Sequence, residues 1–243
     1  MIEVTDLQRE FQGGEESLQV LKHVQLSIST GEFVAIMGPS GSGKSTLLQL
    51  LGGLDTPTKG EVRINDIALH ELSEKERTLF RRRNIGFIFQ NYQLLPMLTV
   101  EENIAFPLDA DNVPQVEIKS RVNRLLKAVG LEGKGDMFPN VLSGGQQQRI
   151  AIARALSNQP RIVLGDEPTG NLDRKTGTTI LNLLSKMHQE EKQTIVMVTH
   201  DIFAAGYADR VIMLKDGRIE AEIEREEANK DELMASFLAE LNA

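Results

Sequence analysis

Phe33-Val34-Ala35-Ile36-Met37-Gly38-Pro39-Ser40-Gly41-Ser42-Gly43-Lys44-Ser45-Thr46-Leu47-Leu48-Gln49-Leu50-Leu51 decides how this chain folds. Five consecutive apolar residues read as a buried strand, the spacing G-x-x-x-x-G-K-S follows, and a helical run succeeds it. Glycines in such a loop let backbone N–H groups converge on phosphate oxygens, and the helix adds the positive end of its dipole. The candidate phosphate contacts are Gly38, Ser40, Gly41, Ser42, Gly43, Lys44, Ser45 and Thr46. Lys44 has the reach for terminal phosphates, and the Ser45 hydroxyl is the candidate Mg2+ ligand. A glycine-rich turn can be a plain connection, but eight matching positions between a strand and a helix favour a nucleotide phosphate site.

Outward from that loop, Arg161-Ile162-Val163-Leu164-Gly165-Asp166-Glu167 reads as a short strand ending in two carboxylates. At the carboxyl end of a parallel strand, Asp166 can hold Mg2+ and Glu167 can polarise an attacking water. The competing reading is a solvated acidic turn before Pro168; a phosphate loop on the same chain favours the catalytic one. Gly165, with no side chain, predicts loose packing behind this site. A second glycine segment, Leu142-Ser143-Gly144-Gly145-Gln146, precedes helical spacing through Gln147, Arg149, Ile152 and Ala155. Ser143 is placed to cap that helix. An exposed serine and two residues without side chains at a helix N-terminus form a surface suited to an anion. The β-rich run Thr194-Ile195-Val196-Met197-Val198-Thr199 delivers His200 to a strand end.

The phosphate loop, LSGGQ, the acidic pair, Asn171-Leu172-Asp173 and Thr199-His200-Asp201 follow one another in the order found in ATP-binding cassette (ABC) ATPases, which the chain resembles over nearly its whole length. The resemblance implies an α/β fold: a P-loop NTPase core with a mainly parallel sheet, an N-terminal antiparallel β-subdomain and an inserted α-helical subdomain. It implies ATP hydrolysis with Mg2+. Carried over residue by residue, Glu167, His200 and Gln90 resemble the catalytic group, and Ser45, Gln90 and Asp166 the metal site. Ser143, Gly144, Gly145 and Gln146 resemble the segment that contacts the γ-phosphate held by an opposite protomer, and Asp173 the aspartate at the dimer seam. Phe11 resembles the aromatic that stacks on adenine, although a lone Phe between polar residues also suits a hairpin core.

The family resemblance further implies a homodimer closed around two ATP molecules, and a separate transmembrane permease as receiver of the work. Tyr92, Leu94, Leu95, Pro96 and Met97 are candidates for the permease groove or for packing between subdomains. Gly86 to Pro96 and Asp166 to Asp173 resemble the branch with lipoprotein-releasing, macrolide-exporting and cell-division members, and so imply mechanotransmission by a lipoprotein, peptide or drug exporter. The alternative is the ATPase of a membrane signalling or cell-division complex that moves no substrate.

Along the chain, residues 1 to about 32 read as a β-hairpin with a loop over Gln12–Ser17, from the alternation in Leu18–Leu21 and Val24–Ile28. Core strands are expected at Phe33–Met37, Ile85–Phe89, Ile162–Gly165, Ile195–Thr199 and Val211–Leu214. Residues 1–90 and 142–225 then form the β-subdomain and core. Between about 91 and 141 strand patterning disappears, and Val122, Leu125, Leu126 and Val129 mark a helix over Val116–Val129. Leu233, Met234, Phe237, Leu238 and Leu241 predict an amphipathic C-terminal helix within 226–243.

No stretch approaches the roughly 20 apolar residues needed to cross a bilayer, and no signal-peptide pattern stands at Met1-Ile2-Glu3-Val4. The chain has no cysteine, which removes a thiolate metal site or disulfide framework. A cytoplasmic protein, peripheral on the inner membrane face through its permease, is the expectation. A net charge of −8 argues against extended nucleic-acid binding. Arg81-Arg82-Arg83, without interleaved aromatics, reads as a solvated helix end or a partner-facing surface.

Overall fold

The computed structural model describes residues 1–13 and 16–224. The expected C-terminal amphipathic helix lies outside the described residues. Strands β1 (Ile2–Gly13) and β2 (Glu16–Ile28) form the expected hairpin. Its connection is tighter than the expected loop, because Gln12 pairs with Ser17 and Gly13 with Glu16. After β3 (Phe33–Met37) and α1 (Lys44–Leu51), β4 (Lys59–Ile64) returns to pair antiparallel with β1, and β5 (Ile67–Ala68) completes a four-stranded sheet in the order β2-β1-β4-β5.

The second sheet takes β6 (Ile85–Phe89), β7 (Ile162–Asp166), β8 (Thr194–Val198), β9 (Arg210–Lys215) and β10 (Arg218–Glu224) in the order β10-β9-β3-β8-β7-β6. Every pair in it is parallel except β9 with β10. The chain leaves β3 for the far edge and fills inward through β7 and β8. The carboxyl ends of β3, β8 and β7 therefore lie side by side, where open α/β sheets bind ligands.

Both faces of the parallel strands are covered, so these are continuous apolar runs, whereas the edge strand β10 alternates. Successive side chains still diverge. Val34, Ile36, Val196 and Val198 join Ile2, Leu7, Leu26 and Leu47 beneath the antiparallel sheet. Phe33, Ala35, Met37, Ile195 and Met197 join Ile180, Leu181 and Leu184 on the opposite face. Those last three belong to α6 (Arg174–Glu191). Burying each such large side chain contributes about 1.5–3 kcal/mol.

Between the two sheets' contributions come α2 (Glu74–Asn84), α3 (Val100–Ala110), α4 (Gln115–Ala128) and α5 (Gly144–Leu156). Helix α4 presents Ile118, Val122 and Leu126 at four-residue spacing to Val100, Ile104 and Leu108 of α3, and the cluster runs on through Leu142, Ile150 and Ala153. Buried Asn103 fixes the segment before α3: its amide donates to the carbonyls of Leu95, Leu98 and Thr99, and its oxygen accepts from Leu95 N.

The arginine triplet is neither free nor merely solvated. Arg81 donates to the Gly53 carbonyl at 2.7 Å, Arg82 to the Ala110 carbonyl at the end of α3, and Arg83 to Asp111. Orphan carbonyls after α1 and at the C-terminus of α3 attract these guanidiniums, which is why the triplet acts as an internal tie.

Candidate functional site

Loop residues 38–45 bridge β3 and α1 with backbone angles that need glycine. Gly41 and Gly43 have φ of 81° and 102°. A Cβ on Gly38 would lie 1.9 Å from the Leu214 carbonyl oxygen, so the loop passes flush against β9. From the other side, Gly217 N donates to the Ser42 carbonyl, and Val20 of β2 meets Gly43. Ser40 and Gly41 are exposed, Ser45 is exposed at the mouth, and Thr46 is half-buried on α1.

Lys44 folds over the loop, its Nζ donating to the carbonyls of Gly38 at 2.9 Å and Pro39 at 2.8 Å. Burial pushes its ammonium below the usual range, against the opposing pull of Glu167 and Asp166. Ser42 Oγ is buried without a hydrogen-bond partner. A partly desolvated cation, an orphaned hydroxyl and open space above Gly41 suit a phosphate group.

Asp166, the last residue of β7, accepts from Ser45 Oγ at 3.1 Å. Burial raises its carboxyl above the ordinary range, the Ser45 hydrogen bond opposes this, neighbouring Glu167 adds to it, and Lys44 opposes it. A hydroxyl and one carboxylate at a phosphate loop match Mg2+, which takes few protein oxygens and completes its shell with phosphate and water.

Glu167 has a φ of 45°, unusual for a side-chain-bearing residue, and its N–H bonds to the Val198 carbonyl at the end of β8. That conformation turns its carboxylate towards His200, whose Nδ1 lies 2.8 Å from Glu167 Oε1. Gln90 follows β6 and reaches the same place. A Cβ on Gly170 would stand 2.7 Å from Gln90 Nε2 and 2.9 Å from Glu167 Oε2, so both side chains flank that glycine. Asn171 holds Gln90 from the far side, accepting from Gln90 Nε2 at 3.3 Å and donating to the Gln90 carbonyl at 3.1 Å.

The second glycine segment is built into a different surface. Ser143 caps α5, accepting from Gln146 N at 3.4 Å while Gln146 Oε1 accepts from Ser143 N at 3.0 Å. This reciprocal box satisfies two helix-end groups. A Cβ on Gly144 would meet the Tyr92 hydroxyl at 2.7 Å, and one on Gly145 the Thr176 methyl at 2.2 Å. Asp173 caps α6 by accepting from Thr176 N and Oγ1 at 3.1 and 2.5 Å, and these bonds hold its carboxyl below the usual range. Leu142–Gln146 and Asp173 therefore share one edge, centred on Thr176 rather than on the phosphate loop.

Phe11 stands near the end of β1, half open to solvent, with Leu18 across the hairpin. It is not a core residue, which removes the second of the two readings of its position. Its ring carries the Arg9 guanidinium at 4.4 Å. Sequence reasoning passed over Asn171 as a holder of Gln90, Arg9 beneath Phe11, and Arg154, which donates to the carbonyls of Gln93 and Tyr92. Tyr92 and Gln93 both have positive φ, and only the fold reveals that α5 pins this turn.

A family model described as ABC transporter matches residues 21–170. An ABC transporter ATP-binding protein of Methanocaldococcus jannaschii, itself uncharacterised, is 48% identical over 226 residues, covering 91% of this chain and 96% of its own. A solved structure of that cassette, described as a dimeric post-hydrolysis state bound to ADP and Pi, superposes with a TM-score of 0.86 at 47% identity, covering 92% of this chain and 98% of that one. A macrolide export ATP-binding/permease protein of Rhodopirellula baltica is 45% identical over 233 residues, 95% of this chain but 34% of its own length. With a phosphate loop between β3 and α1, an acidic pair at the end of β7 and these relatives over nine-tenths of its length, the chain belongs to the ABC transporter family and is an ABC ATPase.

Proposed function

We propose that this ATPase closes as a homodimer around two Mg2+-ATP molecules and uses their hydrolysis to drive a separate membrane permease. The observation that carries the reading is the convergence of Glu167, His200 and Gln90 just past the ends of β7, β8 and β6. The loop N–H groups and Lys44 bind the phosphates, exchanging the carbonyl contacts of Lys44 for phosphate oxygens. Ser45, Asp166 and Gln90 are the residues that would hold Mg2+, which when bound neutralises charge on the β- and γ-phosphates.

Glu167 orients a water in line with the γ-phosphorus and takes its proton as the new P–O bond forms and the β,γ-bridging bond breaks. ADP and inorganic phosphate result. His200, donating towards the γ-phosphate oxygens and in reach of Glu167, links the carboxylate to the phosphate. The edge of Ser143, Gly144, Gly145 and Gln146 presents a helix N-terminus to the γ-phosphate of the second copy, with Asp173 at the seam. Phe11 stacks on the adenine.

The permease seat is a cleft of about 360 Å3 between the core and α3, lined by Leu54, Phe87, Phe89, Leu95 and Phe106 among others. Two positions after Leu95, Met97 is 76% exposed. Such apolar exposure suits a partner helix. No helix among the described residues is long and apolar enough to cross a membrane, so transport requires a second polypeptide or segment. The likeness to a macrolide export ATP-binding/permease protein supports the mechanotransmission branch, with a lipoprotein, peptide or drug as cargo and residence at the inner membrane face.

The test is purification of Glu167→Gln with Mg2+-ATP in mild detergent. This proposal expects a stoichiometric membrane protein with few spans and a large extracytoplasmic part, released by Phe106→Asp. A homodimer alone, or a soluble partner that ignores Phe106→Asp, contradicts it.

A further inference from the structure

Arg9 and Asp55 form a unit that no reading of the phosphate site requires. Arg9 lies two residues before Phe11 on β1, so both side chains leave the same face of the strand. The guanidinium carbon stands 4.4 Å from the Phe11 ring centroid. Its edge faces Asp55: Nη2 donates to Asp55 Oδ1 at 2.9 Å, while Nε lies 2.8 Å from Asp55 Oδ2 as an ion-pair contact without hydrogen-bond geometry. A carboxylate that takes the in-plane edge of a guanidinium leaves its flat face for an aromatic ring. Both partners are largely shielded, at 22% and 24% exposure.

Asp55 is not a stray surface acid. It follows α1, the helix that begins at the phosphate loop, and its Oδ1 also accepts from Thr56 N. The same segment is laced to β1 on either side of Arg9, by Thr58 N to the Gln8 carbonyl and by Glu10 N to Thr58 Oγ1. The far end of α1 is thereby tied to the strand that carries Phe11.

We infer that Arg9, clamped by Asp55, is a positioning residue for the nucleotide base: it covers one face of the Phe11 ring and presents the other to adenine. Phenylalanine has no hydroxyl with which to fix its own ring, so the cation behind it does so. The cation also draws on the ring's negative quadrupole, which leaves the open face better suited to the electron-rich purine. The inference rests on the stacking role of Phe11 and adds what holds that ring in place and connects it to α1.

The experiment is a double-mutant cycle on the full chain, reading dissociation constants for Mg2+-ATP and for inorganic tripolyphosphate, which has no base. Phe11→Ala is expected to weaken ATP at least about fivefold and to leave tripolyphosphate unchanged. Arg9→Gln is expected to weaken ATP about two- to fivefold, again without effect on tripolyphosphate, and to have no further effect in the Phe11→Ala background. In turnover its loss falls on KM rather than kcat, and Arg9→Lys recovers part of it. Equal losses for both ligands, an Arg9 effect that persists without Phe11, or no Arg9 effect beside a weakened Phe11→Ala would each overturn the inference alone. Normal ATP binding by Phe11→Ala would overturn the stacking role, and the inference with it.

Discussion

The surroundings of Asp166 disfavour a negative charge there. Burial and the adjacent Glu167 raise its carboxyl above the ordinary range, and the Ser45 hydroxyl and Lys44 only partly offset them. The sign follows from linkage: a carboxyl raised on folding contributes stability below its ordinary pKa and loses it as pH rises through the folded value. At neutral pH the free protein therefore carries a cost here that the proposed Mg2+ would remove. Asp166→Asn keeps an oxygen for Ser45 and drops the charge, so in metal-free, nucleotide-free buffer at pH 7 its Tm should rise by about 1–3 °C while Mg2+-dependent turnover disappears. The gain should vanish in acid, where the wild-type carboxyl is already protonated. A lower Tm at pH 7 would show that the carboxylate stabilises the free fold. The strained backbone of Glu167 belongs to the same pattern, since φ of 45° is tolerated where it aims a carboxylate at His200.

Strand β7 ends in Asp166, the first of the acidic pair, and its glycine is a local weakness. A Cβ on Gly165 would meet Pro168 at 3.5 and 3.6 Å and Met197 at 3.9 Å, which is ordinary contact. Gly165→Ala should thus fit and stabilise the protein by about 0.5–1 kcal/mol, measured by denaturant unfolding with unchanged m-value. Destabilisation would mean that the space is not free. Such detail is invisible in sequence, whereas β3, β6, β7 and β8 were legible because strands buried on both faces are short apolar runs. Strand β4 was missed because Lys59-Gly60-Glu61-Val62-Arg63-Ile64 alternates over only a few residues and has at its second position a glycine that hugs Asp6, where a Cβ would lie 2.2 Å from its carbonyl oxygen. Strand β10 was also missed, although Asp216-Gly217, with φ of 49° and 79°, is a hairpin turn signal. Helices α2 and α3 were missed too, although Ser73 with Glu76 and Thr99 with Glu102 form capping boxes at their starts, the second in a helix that holds Pro107. The motif residues of the site were readable one by one. Their supports, Asn171, Arg9 and Arg154, were not, because each acts across 46 to 81 positions of chain.

At the scale of the whole molecule, two surfaces face different tasks. One gathers the phosphate loop, Asp166, Glu167, Gln90 and His200 at the strand ends; the other gathers Ser143, Gly144, Gly145 and Asp173 around Thr176. A helix N-terminus capped by its own serine and flanked by bare glycines has donors to offer an anion, which in the proposed dimer a second copy would supply. The similar solved cassette is described as dimeric and bound to ADP and Pi. The central claim is that ATP completes the interface and that hydrolysis opens it. Its most direct measurement is the mass of Glu167→Gln by light scattering with and without Mg2+-ATP, alongside the Glu167→Gln, Ser143→Arg double variant. The account predicts an ATP-dependent dimer for the first, with turnover nearly abolished, and for the second a monomer that still binds ATP. An ATP-loaded monomer in the first, or an undiminished dimer in the second, would contradict it.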